Sequence, residues 1–117
     1  MEFTFKVWSE IDGNPLMGPG RFRLLSALQK TGSINAAAKE MDISYRRAWA
    51  QIRQMEQLLG EPLVVCNRGG NAGGGTDLTP AAVNLMGRYL KVSKAVAKVV
   101  EESGAISAEE PHVKKRR

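Results

Sequence analysis

The chain opens on alternation. Phe3, Phe5 and Val7 are separated by Thr4 and Lys6, the two-residue period of a strand, which Trp8 blurs before Ser9. Asp12-Gly13-Asn14-Pro15 is a turn signal, so Leu16-Met17 is expected to return as a short second strand. Such a ribbon is marginal alone and has to pack on something else. After Gly18-Pro19-Gly20 the period lengthens. Phe22, Leu25 and Leu28, with Leu24 beside them, mark a helix over 21–30, and Thr31-Gly32 stops it with a residue suited to the left-handed conformation. Ser33 caps a second helix over 34–41, whose Ala36-Ala37-Ala38 run lets a neighbour approach closely.

Asp42-Ile43-Ser44 is a tight junction, and Ser44 caps the third helix, 45–59. That helix gathers Tyr45, Ala48, Ile52, Met55 and Leu59 on one stripe, with Trp49 and Leu58 on its shoulders. It turns Arg46, Arg47, Ala50, Arg53, Gln54 and Gln57 the other way. Residues 62–66 form a short β-branched strand, 67–76 a loop with five glycines, and Asp77-Leu78 the start of a return strand. Thr79 and Pro80 open a last helix running to about Glu102, with a narrow polar stripe of Asn84, Arg88, Lys91, Lys98 and Glu102. The expected fold class is mostly α with small β elements. A short helix, a three-residue junction and a longer basic-faced helix make a helix-turn-helix, and the hairpin after it makes the winged variety. Residues 1–103 are expected to form this domain with its long C-terminal dimerisation helix, and 104–117 a disordered basic tail.

Composition narrows the chemistry. The 117 residues suffice for one modest core. The net charge is +5; Lys114, Lys115, Arg116 and Arg117 supply four of the positive charges, but an excess also lies inside the domain. Between Asn14 and Thr76, eight basic residues (Arg21, Arg23, Lys30, Lys39, Arg46, Arg47, Arg53, Arg68) meet four acidic ones (Glu40, Asp42, Glu56, Glu61), a footprint suited to a polyanion. One cysteine, Cys66, and one histidine, His112, make neither an internal disulfide nor a structural zinc site, so no metal or cofactor is expected. No nucleophile–base or carboxylate pair stands out, so no catalytic residue and no enzyme activity are expected. The glycine loop lacks the lysine of a phosphate-binding loop and has no parallel α/β scaffold around it. Neither a signal-peptide pattern nor an apolar run of bilayer length occurs, so the expected location is the cytoplasm, away from membranes.

Five segments carry a resemblance: Gly18-Pro-Gly-Arg-Phe-Arg-Leu-Leu, Gly32-Ser-Ile-Asn-Ala-Ala-Ala-Lys, Ser44-Tyr-Arg-Arg-Ala-Trp49, Pro62-Leu-Val, and Gly69-Gly-Asn-Ala-Gly-Gly-Gly-Thr-Asp-Leu-Thr79. Over roughly residues 3–100 the chain resembles the N-terminal winged helix-turn-helix domain of ModE-type molybdate-responsive transcriptional regulators, itself related to the LysR-type DNA-binding domain. The resemblance implies a DNA-binding transcription regulator that dimerises mainly through its first and last helices. The helix from Ser44 then enters the major groove, and the glycine-rich wing follows the backbone or minor groove. Full-length members carry C-terminal molybdate-binding domains; this chain ends thirteen residues after Gly104, so molybdate is not expected as its own ligand.

The expected partners are therefore double-stranded DNA and a second copy of the chain. Candidate DNA contacts are Ser33, Ser44, Tyr45, Arg46, Arg47, Arg53 and Gln54 on the helices, and Arg68, Gly69, Gly70 and Gly74 in the wing. Candidate dimer contacts are Leu24, Leu28, Tyr89, Val92, Val96, Val99 and Val100. Two alternatives stay open at this point: a regulator that itself senses molybdate or another oxyanion, and a helix-mediated interaction module that does not bind DNA. Cys66 is taken as a small strand residue rather than a redox sensor, and Trp49 as core.

Overall fold

The computed structural model describes residues 1–67 and 75–103. In chain order the described residues form β1 (Ser9–Ile11), β2 (Asn14–Met17), α1 (Pro19–Thr31), α2 (Ile34–Met41), α3 (Tyr45–Leu59), β3 (Val64–Asn67), β4 (Gly75–Leu78) and α4 (Pro80–Glu102). β1 and β2 pair antiparallel, as do β3 and β4, in two separate two-stranded sheets. Structures of this class are helix-on-helix packings with a small sheet at the margin.

The first ribbon turns at Asp12-Gly13, where both residues have positive φ, 51° and 81°. Asp-Gly tolerates that two-residue turn and suits the twist of the strands it joins. The ribbon is shorter than the alternation from Phe3 suggests, and the strand expected over 3–9 begins only at Ser9. The reason is a missing backbone partner. β2 is four residues long and ends where Gly18 enters α1, so its last pair is Ser9↔Met17. Before that point the Val7 carbonyl accepts a hydrogen bond from Tyr89 Oη of α4 instead, 3.0 Å away. The two-residue period survives as burial: Phe5 and Val7 are half-buried, while Thr4, Lys6 and Trp8 are exposed.

Around one core, α1, α2 and α3 meet. Leu24, Leu25 and Leu28 of α1, Ile34, Ala37 and Ala38 of α2, and Ala48, Ile52 and Met55 of α3 are all buried, together with Leu16, Met17 and Leu63. The alanines of α2 let the neighbouring helices come close. α1 begins at Pro19, two residues earlier than the apolar period indicates, because proline at the first helical turn lacks only an N–H that would be unsatisfied anyway. Gly32 closes α1 at φ 71°, its N–H bonded to Leu28 O.

The wing, formed by β3 and β4, is hung on this body from several sides. Thr79 N donates to Leu63 O at 3.0 Å and Thr79 Oγ1 to Pro62 O at 2.9 Å. Thr76 N donates to Gly32 O at 2.9 Å, across from the end of α1. Gly75 makes that approach possible: a Cβ there would lie 3.1 Å from the same Gly32 oxygen. Thr79 also caps α4 by accepting from Ala82 N. In α4 only Ala82 and Met86 are fully buried, both in its first two turns.

Candidate nucleic-acid interface

The junction between α2 and α3 sets the angle of the third helix. Asp42 takes the left-handed conformation at φ 60°, its N–H bonded to Lys39 O, while Ile43 N donates to Ala38 O. These bonds use the last carbonyls of α2, and Ile43 packs against the core, so the chain leaves in one direction only. Ser44 then starts α3. Its Oγ accepts from Arg47 N at 3.0 Å and its carbonyl from Ala48 N at 3.0 Å. The serine hydroxyl still has its own O–H to donate outward. Ser33 plays the same part for α2, accepting from Ala36 N at 3.0 Å.

The face of α3 away from Ala48, Ile52 and Met55 is open. Arg46, Arg47, Ala50, Arg53, Gln54 and Gln57 are all exposed, and the first turn holds no acidic residue. Tyr45, expected on the apolar stripe, is 52% exposed. It stands in the first turn, before the helix has run under its neighbours, so it sides with the arginines. The Tyr45 and Arg46 amides, which the Ser44 cap does not use, and two arginines beside them form a positive end that suits an anion.

Two expected contacts already have partners inside the chain. Arg53 Nη1 lies 2.7 Å from Glu56 Oε1, and its guanidinium covers the Trp49 ring at 4.4 Å from the centroid. Trp49 is accordingly half-buried rather than core: one side packs on the core and the other lies under Arg53. Gln54 accepts a hydrogen bond from Arg21 Nη2. Arg21 also donates to Pro15 O and Leu16 O, each at 3.1 Å, which ties the first ribbon to α3. Partial burial lowers the pKa of Arg21 from its ordinary value. The sequence carries no signal for this link, because the residues it joins are far apart along the chain.

Glu56 is the other residue that sequence reasoning passed over. Its Oε2 accepts from Leu63 N at 2.8 Å and Val64 N at 3.4 Å, joining α3 to the first strand of the wing. Burial pushes this carboxyl up, but the Leu63 amide, Arg53 and the Val64 amide together outweigh it and hold the group below its ordinary value. A glutamate three residues after an arginine looks like an ordinary surface ion pair, so spacing hides the amides on its far side.

Arg68, Gly69, Gly70 and Gly74 lie outside the described residues. At the wing's base Asn67 Nδ2 donates to Asp77 Oδ2 at 2.7 Å, bracing β3 against β4.

For the expected dimer contacts the structure divides the set. Leu24 and Leu28 are each 1% exposed within the single chain, so they belong to its own core and not to a contact between copies. Both belong to the single apolar cluster of the domain, which already covers this stripe of α1. Tyr89 is half-buried, its ring 5.3 Å from Phe22. Val92 and Val99 are 52% and 64% exposed, with Val96 and Val100 half-buried beside them.

The family model for the bacterial regulatory helix-turn-helix protein, lysR family, matches residues 20–83, more than half of the chain, from the second residue of α1 to the first turn of α4. The chain belongs to this family. Among curated relatives it is 45% identical over 84 residues to the molybdenum-pterin-binding protein MopB of Rhodobacter capsulatus, covering 72% of this chain and 31% of that protein. It is 40% identical over 87 residues to the molybdenum transport protein ModE of Azotobacter vinelandii, covering 74% and 32%. The chain thus spans about a third of the length of these relatives. The lysR-family fold recurs in the crystal structure of the CbnR_DBD–DNA complex, at a TM-score of 0.53 and 22% identity over 71% of this chain and 90% of that one. Among the described residues no helix is long and apolar enough to cross a membrane.

Proposed function

We propose that this chain is the DNA-binding part of a transcription regulator, acting as a homodimer on double-stranded DNA. The observation that carries the reading is the open face of α3: Arg46, Arg47 and Ala50 exposed behind a capped helix start, on a helix whose core residues Ala48, Ile52 and Met55 are 0% exposed. That arrangement holds the arginines on a rigid element, and the small Ala50 lets the helix sit close to base edges. Arg47 or Arg46 reads guanine O6 and N7, the other arginine and the Ser44 hydroxyl take neighbouring phosphates, and Ser33 contacts the backbone from the start of α2. The 67–76 wing follows the backbone or minor groove, with Arg68 on a phosphate and the glycines letting the backbone approach.

α4 supplies the dimer. Val92 and Val99 are exposed one heptad apart, on the same side as Leu85 and beyond the last fully buried residue of the helix. A second copy covers this stripe and places two α3 helices on a two-fold symmetric site. The reading makes the chain a regulator rather than an enzyme.

Binding to random and selected duplexes, measured by anisotropy across a salt series, tests the proposal. Affinity is expected to fall steeply and linearly on a log–log plot as salt rises. A folded protein with no affinity for any duplex at low salt rules the reading out. The curated relatives are named for molybdenum, and calorimetry with molybdate on this same chain decides whether that ligand reaches it. We expect no specific heat.

A further inference from the structure

We propose that Glu56 is a positioning residue that ties the recognition helix to the wing, so that the two reach DNA in fixed register; this rests on the DNA-binding reading above. Three observations carry it. First, Glu56 side-chain exposure is only 12%, although it stands on the helix whose opposite face holds exposed arginines. Second, its two oxygens divide their work: Oε2 holds the Leu63 and Val64 amides, where β3 begins, and Oε1 holds Arg53. Third, Leu63 is 0% exposed, so without Glu56 its amide is left buried and unpaired.

The tie matters for placement because the wing is otherwise held from elsewhere. Gly32 O takes the Thr76 amide of β4, which relates the wing to the end of α1. Thr79 donates to Pro62 O and Leu63 O, which relates the wing to the start of α4. Among these links only Glu56 refers the wing to α3 itself. The connection from α3 to β3 is short, Gly60 to Leu63, and Gly60 at φ 77° turns it sharply. A carboxylate one turn before that bend, bonded to the amides just after it, sets the angle at which the strand leaves. The same carboxylate keeps Arg53 over Trp49, so Arg53 is part of the bracket and not a base reader.

The test compares wild type with Glu56→Ala and Glu56→Asp on two duplexes. One is shortened to the base pairs under α3, and the other adds the flanks that the wing reaches. All binding is measured at a temperature where circular dichroism shows each variant folded. Amide exchange at Leu63 and Val64 is followed by NMR without DNA. Wild type is expected to prefer the longer duplex roughly tenfold, as the loss of one or two phosphate contacts predicts. Glu56→Ala is expected to exchange faster at both amides and to lose most of that preference, with base discrimination on the short duplex unchanged. Glu56→Asp keeps the charge one methylene short of the amides. It should lose part of the preference, and it decides the matter alone if the alanine variant does not fold.

Removing a negative charge by itself raises affinity on both duplexes alike, so a change confined to the ratio is the signature of placement. An unchanged ratio in folded variants whose amides exchange faster overturns the proposal. So does a wild type indifferent to the flanks, or an alanine variant with undisturbed amides. A wild type that binds neither duplex defeats the DNA-binding reading instead. The exchange data then still report whether Glu56 holds β3.

Discussion

α3 and α4 are both amphipathic, and they spend their apolar faces differently. In α3, Ala48, Ile52 and Met55 are each 0% exposed, covered by the rest of the same chain. In α4 the fully buried residues are Ala82 and Met86, and a stripe further along leaves Val92 and Val99 more than half exposed. At 23 residues α4 is about 34 Å long, and its buried residues all lie in the first two turns. An apolar stripe therefore says that something must cover a helix, and only the packing says whether that cover is the same chain.

The sharpest way to break this contrast is to change one residue in each stripe. Ile52→Ala removes a side chain with no exposed surface from among close-packed neighbours, and should cost about 2–5 kcal/mol of folding stability in urea denaturation. A loss under about 1 kcal/mol would mean that the α3 stripe is not the closed core described above. The matching change in α4 should behave oppositely. Val99→Asp places a charge at a position 64% exposed, so the monomer fold should keep its circular dichroism spectrum and most of its stability. Self-association should weaken by roughly tenfold or more, because the charge would be buried without a partner in the pair. Sedimentation at micromolar concentration reads this directly. A variant that stays as dimeric as wild type moves the contact off the Val92–Val99 stripe.

The opposite face of α3 gives a smaller effect, expressed only on DNA. Arg46→Ala and Arg47→Ala remove exposed side chains and should leave stability within about 0.5 kcal/mol of wild type. Whichever arginine reads guanine should lose about 1–3 kcal/mol on the selected site and less on a site changed at that base pair. Equal losses on selected and scrambled duplexes would assign both residues to phosphates. The contrast with Arg53, already paired to Glu56 and stacked on Trp49, sharpens the point. Its removal should act on stability and wing placement more than on base preference.

Most of this architecture was legible because the signals are local. Ser33, Ser44 and Thr79 cap helices where a hydroxyl precedes an apolar period, and Gly32 and Gly60 stop them with positive φ. What was not legible depends on distant parts of the chain. The strand expected over 3–9 shortened because β2 had too few residues to pair with it. Leu24 and Leu28 read as available to a second copy, but the chain's own core buries them to 1% exposure. Arg21 with Gln54, and Glu56 with the Leu63 amide, are polar links made by folding, and no spacing rule announces them.

The smallest expected effect tests α4 most finely. Gly87 sits in the interior of the helix, exposed, and a Cβ there would meet nothing within 4 Å. It falls at helical spacing from Asn84, Lys91 and Lys94, on the polar side and away from Val92 and Val99. Gly87→Ala should therefore stabilise the fold by about 0.5–1 kcal/mol, since glycine in a helix interior loses more backbone freedom on folding than alanine. The dissociation constant of the dimer should not change, because the new methyl group faces water in both states. Thermal melts and sedimentation of the same sample give the two numbers together. If the melting temperature rises while self-association weakens, two copies of α4 must approach closely at Gly87. The pair would then meet on the polar side of the helix, and the valine stripe would have to be covered by something other than its own copy.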